Sequence, residues 1–367
     1  MMTAPSPELA ALRTFALQEA ERLGFDLAGV APVEASPRLA MFADWIGSGR
    51  AGTMDYLARR NEQGRYLREE VTAAWPWARS VLCAAMVYNT LAAGEEPPAA
   101  ADRGWISRYA WGTDYHRVLG ERLEAWRDAV AAQAPAEAQF KLSVDTAPLV
   151  EREAARQAGL GWQAKNTCLI HPRLGSWFFL GCMVTSLDLV GDPEPLPDRC
   201  GSCTRCIEAC PTQALEPYQM DATRCLAYLN IELRGSIPEP FRAALGNNVL
   251  GCDICQQVCP WNQPRADGAG ALLRAPLSPL AEFQPRPGLL APRLAELAAM
   301  TEQDYQEKFR HSAVKRAKWQ GLRRNIAVAM GNSGNLEFIP ILKGWERDAD
   351  PVISEHARWA LSQLCTS

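Results

Sequence analysis

Eight cysteines between positions 200 and 259 carry the most legible chemistry in this chain. The stretch CGSCTRCIEACP sets Cys200, Cys203, Cys206 and Cys210 in a CxxCxxCxxxCP run, and GCDICQQVCPWN echoes it with Cys252, Cys255 and Cys259 before Pro260. Iron–sulfur cubanes are held this way: a tightly turned loop presents thiolates to three iron corners and the fourth is met from elsewhere. In two-cluster arrangements the last cysteine of each run serves the other cluster. The spacing therefore predicts one 4Fe-4S cluster on Cys200, Cys203, Cys206 and Cys259. A second falls on Cys210, Cys252 and Cys255, with the isolated Cys225 as its fourth ligand. Structural zinc sites also use CxxC pairs, but not a triple run closed by Cys-Pro and then echoed.

The remaining cysteines, Cys83, Cys168, Cys182 and Cys365, sit in apolar sequence and read as small core residues. The four histidines, His116, His171, His311 and His356, are too scattered to suggest a metal site. A carboxylate of interest is Asp145, in SVDTAPLVEREAARQAGLGWQAKNT, where a short strand meets a helix. Such a position suits a general acid, but Asp145 or Thr146 could equally cap a helix entered at Pro148. Lys165 and Asn166 read equally as solvated turn residues. No GxGxxG follows a strand and no GxxxxGK[ST] occurs, so neither a dinucleotide fold nor a phosphate-binding loop is supported.

These residues need a scaffold. With 367 residues, 48% apolar and 22% charged, the chain is long enough for about two domains of globular composition. The longest apolar run, Trp177 to Leu187, is too short to cross a bilayer, and the N-terminus lacks the marks of a secretory signal. A cytoplasmic location follows, where cysteines serve metal or redox chemistry rather than disulfides. Ser6-Pro7-Glu8 predicts a helix start, running to about Leu23. Phe25–Ala31, Ser80–Tyr88 and Trp177–Leu187 read as strands and Tyr115–Ala134 as a helix, giving an α/β or α+β domain over residues 1–190. Gly191–Arg199 and Pro276–Pro292 are Pro-rich boundaries enclosing a ferredoxin-like module at 191–275. Residues 276–367 then read as helices at Gly321–Met330, Leu336–Trp345 and Val352–Leu364, the last capped by Asp350, in the manner of a HEAT-type repeat.

The formal net charge is -4, yet Tyr305–Arg324 holds seven Lys or Arg residues against one acid, Glu307. Read alone, such a run is a solvated helix face. Four segments together give it another meaning. SRYAWGTDYH, SVDTAPLVEREAARQAGLGWQAKNT, the two cysteine runs and FRHSAVKRAKWQGLRRNIAVAMGN occur in this order along nearly the whole chain, which thereby resembles the epoxyqueuosine reductases.

That resemblance implies reduction of the epoxide of epoxyqueuosine, at the wobble position of tRNA, to queuosine. It implies cobalamin bound base-off beside the two 4Fe-4S clusters, with Asp145 as proton donor. Cobalamin contacts would come from Arg59, Arg60, Ala110, Asp114, Asp145, Leu169 and Leu180. The common corrinoid signature DxHxxG is absent, since Asp114-Tyr115-His116 has the wrong spacing. The basic run would offer Lys308, Arg310, Lys315, Arg316, Lys318, Arg323 and Arg324 to tRNA phosphates, with Trp319 available for stacking. An acid working near neutral pH needs a raised pKa, so a buried, apolar approach to Asp145 is expected. The clusters would relay single electrons from an external donor such as a flavodoxin or ferredoxin to the corrinoid, in a monomeric enzyme. Rival readings are a reductive dehalogenase-like corrinoid enzyme, a plain electron-transfer protein, and a zinc-bearing tRNA scaffold.

Overall fold

The structure, a computed structural model, describes residues 6–34, 36–97, 100–191, 195–266 and 272–366. Residues 192–194 of the expected boundary Gly191–Arg199, and the first five residues of the N-terminus, lie outside them. Four strands form one sheet in the order Leu27–Pro32, Ser80–Val87, Phe178–Thr185, Phe140–Ser143, antiparallel at every pairing. The domain is therefore α+β, and the α/β alternative falls away.

Ser80–Val87 is buried at all its positions because both faces of the sheet are covered. Leu82, Ala84 and Met86 pack with Leu12 and Ala16 of the helix Pro7–Arg22 and with Leu119, Leu123 and Trp126 of the helix Tyr115–Ala131. Val81, Cys83 and Ala85 face the other way, onto Ala154 and Ala155 of the helix Glu151–Gln157. This explains why the strand reads as an unbroken apolar run rather than an alternating one. Ser6 caps the first helix through Leu9 N–H, with Pro7 in its first turn, as the sequence predicts.

The cysteine region is knitted to both neighbours. Asn248–Leu250 pairs in parallel with Trp105–Ile106, and the short helices Arg205–Glu208 and Ile254–Gln257 pack together. Leu226, Leu229, Val249 and Leu250 share one apolar core with Leu322, Ile326 and Val328 of the helix Lys318–Asn332. The proline-rich stretch 276–292 thus separates segments along the chain that share a core in space. Helices Ile339–Trp345 and Pro351–Thr366 complete the C-terminal layer, with Asp350 capping the last through Val352 N–H. Close approach of its helices depends on Gly331, where a Cβ would come within 2.7 Å of Ala360 Cα. Among the described residues no helix is long and apolar enough to cross a membrane.

Candidate active site

The strand Phe140–Ser143 ends in a three-residue turn centred on Asp145. Thr146 N–H donates to Val144 carbonyl oxygen at 2.6 Å, and Asp145 takes φ +61°, a left-handed conformation unusual for a residue with a Cβ. Glu151 holds the turn: its Oε1 accepts from Asp145 N–H at 2.7 Å and from Ser143 Oγ at 2.6 Å. The helix begins only at Glu151, with Val150 at the cap position and no side-chain cap. Neither Asp145 nor Thr146 caps it, which leaves the Asp145 carboxylate free to point outward.

Three groups converge on Oδ2 of Asp145. Tyr115 Oη donates at 3.0 Å, Arg316 Nη1 donates at 2.5 Å, and His116 Nε2 lies 3.7 Å away. Asp114 caps the helix that carries His116, accepting its N–H at 3.1 Å, and fixes the ring through Nδ1 at 2.8 Å. Arg316 reaches a second carboxylate, Glu232, through Nε at 2.5 Å. Glu232 closes the π-helical turn Tyr228–Glu232, a geometry often found at functional sites.

The expected buried, apolar approach to Asp145 is not what forms. Its side chain is 42% exposed, and its neighbours are polar. Desolvation pushes the carboxyl up, but the His116 ring and the Arg316 charge outweigh it and hold Asp145 well below the usual carboxylate range. In this state it is ionised, contrary to the raised pKa the sequence suggests. His116 opposes its own desolvation through Asp114 and Asp145 and is pushed up to about 9, so it is an imidazolium at neutral pH. Burial and the Asp145 charge, against the Ser143 hydrogen bond, push Glu151 up to about 7. Sequence reasoning set His116 aside because it is remote from the other histidines; its partners are carboxylates, and the nearest, Asp114, is two residues away.

Of the other expected cofactor contacts, Arg59 is exposed and lies close to Arg68, itself within reach of Asp145. Arg60 bonds the Gly64 carbonyl and stacks on Tyr66, so its charge is engaged in its own loop. Ala110 is 1% exposed and Leu169 is buried, with Leu180 partly buried against the same apolar cluster. Nε2 of His116 is buried and has no hydrogen-bond partner among the described residues. With the Asp145 carboxylate as its close partner at 3.7 Å, it joins the outward-facing Asp145 and Tyr56 in a polar rim that suits a large ligand with a polar edge.

The thiols fall into two neighbourhoods. Cys206 lies within electrostatic reach of Cys200 and Cys203, and Cys259 within reach of Cys200 and Cys206. Cys252 is similarly close to Cys225 and Cys210, and Cys255 to Cys252 and Cys225. Tyr109 is within electrostatic reach of both Asp145 and Asp253, the residue that follows Cys252. Cys83 and Cys182 are core residues, as expected. Cys168 is not: its thiol interacts electrostatically with those of Cys255 and Cys259, on the cysteine loops. Cys365 is exposed rather than buried, since it falls on the outer face of the last helix.

Lys165 and Asn166 are no solvated turn. Lys165 Nζ donates to the carbonyls of Gly201 and Cys203 at 2.6 and 3.1 Å, and Asn166 Nδ2 to Cys255 carbonyl at 3.3 Å. One hairpin of the α+β domain thereby grips both cysteine loops.

The basic run divides. Lys308, Arg310 and Lys318 are exposed and Lys315 half-buried. Arg316 is the counter-ion of Asp145 and Glu232, and Arg323 pairs with Asp348 at 2.5 Å between Trp319 and Trp345. Arg324 must be withdrawn from any phosphate surface. It is 1% exposed, and its guanidinium is spent on the carbonyls of Leu229, Leu233 and Gly235.

Two thiol groups beside an exposed acid–base cluster define an iron–sulfur oxidoreductase. Residues 199–262 match the 4Fe-4S double cluster binding domain, and residues 68–146 match the family described as "Epoxyqueuosine reductase QueG, DUF1730". The epoxyqueuosine reductase of Xanthomonas campestris pv. campestris is 36% identical over 99% of this chain and 98% of its own length. That of Synechocystis sp. is 43% identical over 81% and 98%. A crystal structure of epoxyqueuosine reductase with an epoxyqueuosine-modified tRNA stem loop superposes with a TM-score of 0.83 at 29% identity, covering 97% of this chain and 91% of that one. The Bacillus subtilis enzyme, with its catalytic aspartate loop swung out of the active site, gives 0.82 at 28% identity, over 97% and 91%. The chain belongs to the epoxyqueuosine reductase family.

Proposed function

We propose that this oxidoreductase reduces epoxyqueuosine at the wobble position of tRNA to queuosine at the face that carries Asp145, with Asp145 as the acid. The observation that carries this reading is the convergence of Tyr115, His116 and Arg316 on one outward-facing carboxylate. Two 4Fe-4S clusters are held by Cys200, Cys203, Cys206 and Cys259 and by Cys210, Cys225, Cys252 and Cys255. The exposed polar rim of Asp145 and Tyr56 supports base-off cobalamin here, with Arg59, Asp114 and the apolar edge of Leu169 and Leu180 as contacts. When bound, it would supply a strong nucleophile toward the epoxide carbon.

The overall change adds two electrons and two protons and releases water, leaving a carbon–carbon double bond. Opening an epoxide generates an alkoxide oxygen, and the chain's task is to put a proton there. Asp145 can do so only once its contacts with His116 and Arg316 loosen, because together they keep it ionised. His116, protonated at neutral pH, is the adjacent proton store. Release of the Glu151 latch would let the strained Asp145 turn move, and the swung-out loop of the Bacillus subtilis enzyme supports that mobility. The exposed Lys308, Arg310 and Lys318 and the half-buried Lys315, on a HEAT-like helical layer, face the tRNA backbone in a cytoplasmic monomer fed by an external one-electron donor.

The test is mass spectrometry of nucleosides from epoxyqueuosine-bearing tRNA incubated anaerobically with reconstituted protein, cobalamin and reductant. Wild type should yield queuosine and Asp145→Asn should lose at least about 100-fold in rate. Persistence of epoxyqueuosine with iron and cobalt both bound would mean another substrate.

A further inference from the structure

The hairpin formed by Trp162–Gln163 and Leu169–Ile170 buries a polar atom whose neighbouring acceptor is a cysteine sulfur. Trp162 is 1% exposed, and its indole Nε1 has no partner within hydrogen-bond geometry among the described residues. A buried indole N–H ordinarily finds an acceptor, and the one it faces is the sulfur of a proposed cluster ligand. The ring belongs to a small apolar cluster of its own with Ala164, Ile170 and Cys259, flanked by Cys200 and Trp261. Its polar edge lies at the Cys200 thiol.

The ring cannot readily turn away. Trp261 packs edge-on against it, with centroids 4.9 Å apart and planes at 76°. Beneath it, a Cβ on Gly161 would come within 2.6 Å of the Ile170 carbonyl oxygen, and Ala164 N–H is bonded to Cys168 carbonyl at 2.9 Å, so the backbone is tightly held. The Lys165 bonds to Gly201 and Cys203 tie the same hairpin to the loop bearing the first thiol group. An iron–sulfur cluster at that loop brings acceptors the apoprotein lacks: thiolate and sulfide sulfur.

We propose that Trp162 donates a hydrogen bond from Nε1 to a sulfur of the cluster held by Cys200, Cys203, Cys206 and Cys259, and so raises that cluster's reduction potential. Donors to cluster sulfur stabilise the more negative, reduced state. The loop from Gly201 to Arg205 is largely exposed, so this is the cluster placed to receive electrons from outside, and a raised potential favours their entry. Trp162 is thus a positioning residue for electron delivery. The inference rests on the proposed ligand assignment and not on the reaction at Asp145.

The experiment is an EPR-monitored redox titration of anaerobically reconstituted wild type, Trp162→Phe and Trp261→Phe, with iron counted in each. In Trp162→Phe at full iron loading, one midpoint should fall by up to a tenfold change in the one-electron equilibrium, about 59 mV. The other should hold, and Trp261→Phe should move neither. Wild type labelled with tryptophan carrying 15N at the indole nitrogen alone should show 15N coupling to one cluster by pulsed EPR. Unmoved midpoints in fully loaded Trp162→Phe would overturn the proposal. If that variant takes up no iron, the labelled wild type decides, and absence of tryptophan coupling overturns it. Wild type binding fewer than two clusters would instead overturn the ligand assignment.

Discussion

Arg316 spans two carboxylates, with Nη1 2.5 Å from Asp145 and Nε 2.5 Å from Glu232. A residue that sequence reasoning gives to tRNA phosphates is in the structure the counter-ion of the proposed acid. A folded-state carboxyl held low contributes stability that is present above its unfolded pKa and lost as pH falls. Arg316→Gln should therefore cost on the order of 1 kcal/mol at pH 7, a modest figure because both side chains are about a third or more exposed and screened. Denaturant unfolding of the apoprotein should show the gap between variant and wild type closing below about pH 4, near the unfolded carboxylate pKa. A gap that stays constant down to pH 3 would remove Asp145 as the partner that matters.

The His116 ring supplies a second pH signature, of opposite sense. Its pKa, about 9, is above the ordinary histidine value, so the protonated store is full at neutral pH and empties as pH rises through about 9. Single-turnover epoxide reduction should decline across that range. His116→Asn, which keeps a donor amide but cannot titrate, should slow the reaction by about 10- to 100-fold and abolish the decline. A wild-type rate independent of pH from 7 to 10 would rule out the imidazolium as proton store.

What the sequence discloses and what it hides follow physical lines. The cysteine runs are legible because cubane ligation imposes a local spacing. The strand Ser80–Val87 and the helix Pro7–Arg22 are legible because burial and capping act within a few residues. Asp145 could be singled out but not its electrostatics, because the His116 ring and Arg316 hold its charge together, and Arg316 is 171 residues away. The same distance effect misassigns Lys165, Asn166 and Cys168, whose partners lie on the cysteine loops. Arg324 misleads because a guanidinium can be buried wherever carbonyls of an irregular turn need donors, and the π-helical turn Tyr228–Glu232 supplies them.

That division of the basic run predicts two different phenotypes. Lys315→Gln with Lys318→Gln should reduce the salt dependence of tRNA binding, lowering the slope by roughly 1 to 2, with the melting temperature unchanged. Arg324→Gln should instead destabilise the fold by about 1–3 kcal/mol, since buried carbonyls lose their donors. Filter binding at several salt concentrations beside thermal melts separates the two. A melt left unchanged by Arg324→Gln would contradict its structural role.

The isolated Cys225 tests the partition of the thiols. It comes from a different loop than either cysteine run, and its thiol neighbours are Cys210, Cys252 and Cys255 of the proposed set together with Cys168. Cys225→Ala should therefore leave the cluster on Cys200, Cys203, Cys206 and Cys259 intact while emptying the other, and bound iron should fall from about eight atoms to about four. If the emptied cluster is the second step of the proposed relay, electrons accepted by the remaining cluster should then fail to reach the acid site. Reduced protein would keep one EPR signal and show no turnover with bound tRNA. Loss of the Trp162-sensitive cluster instead of its partner would require the two ligand sets to be exchanged.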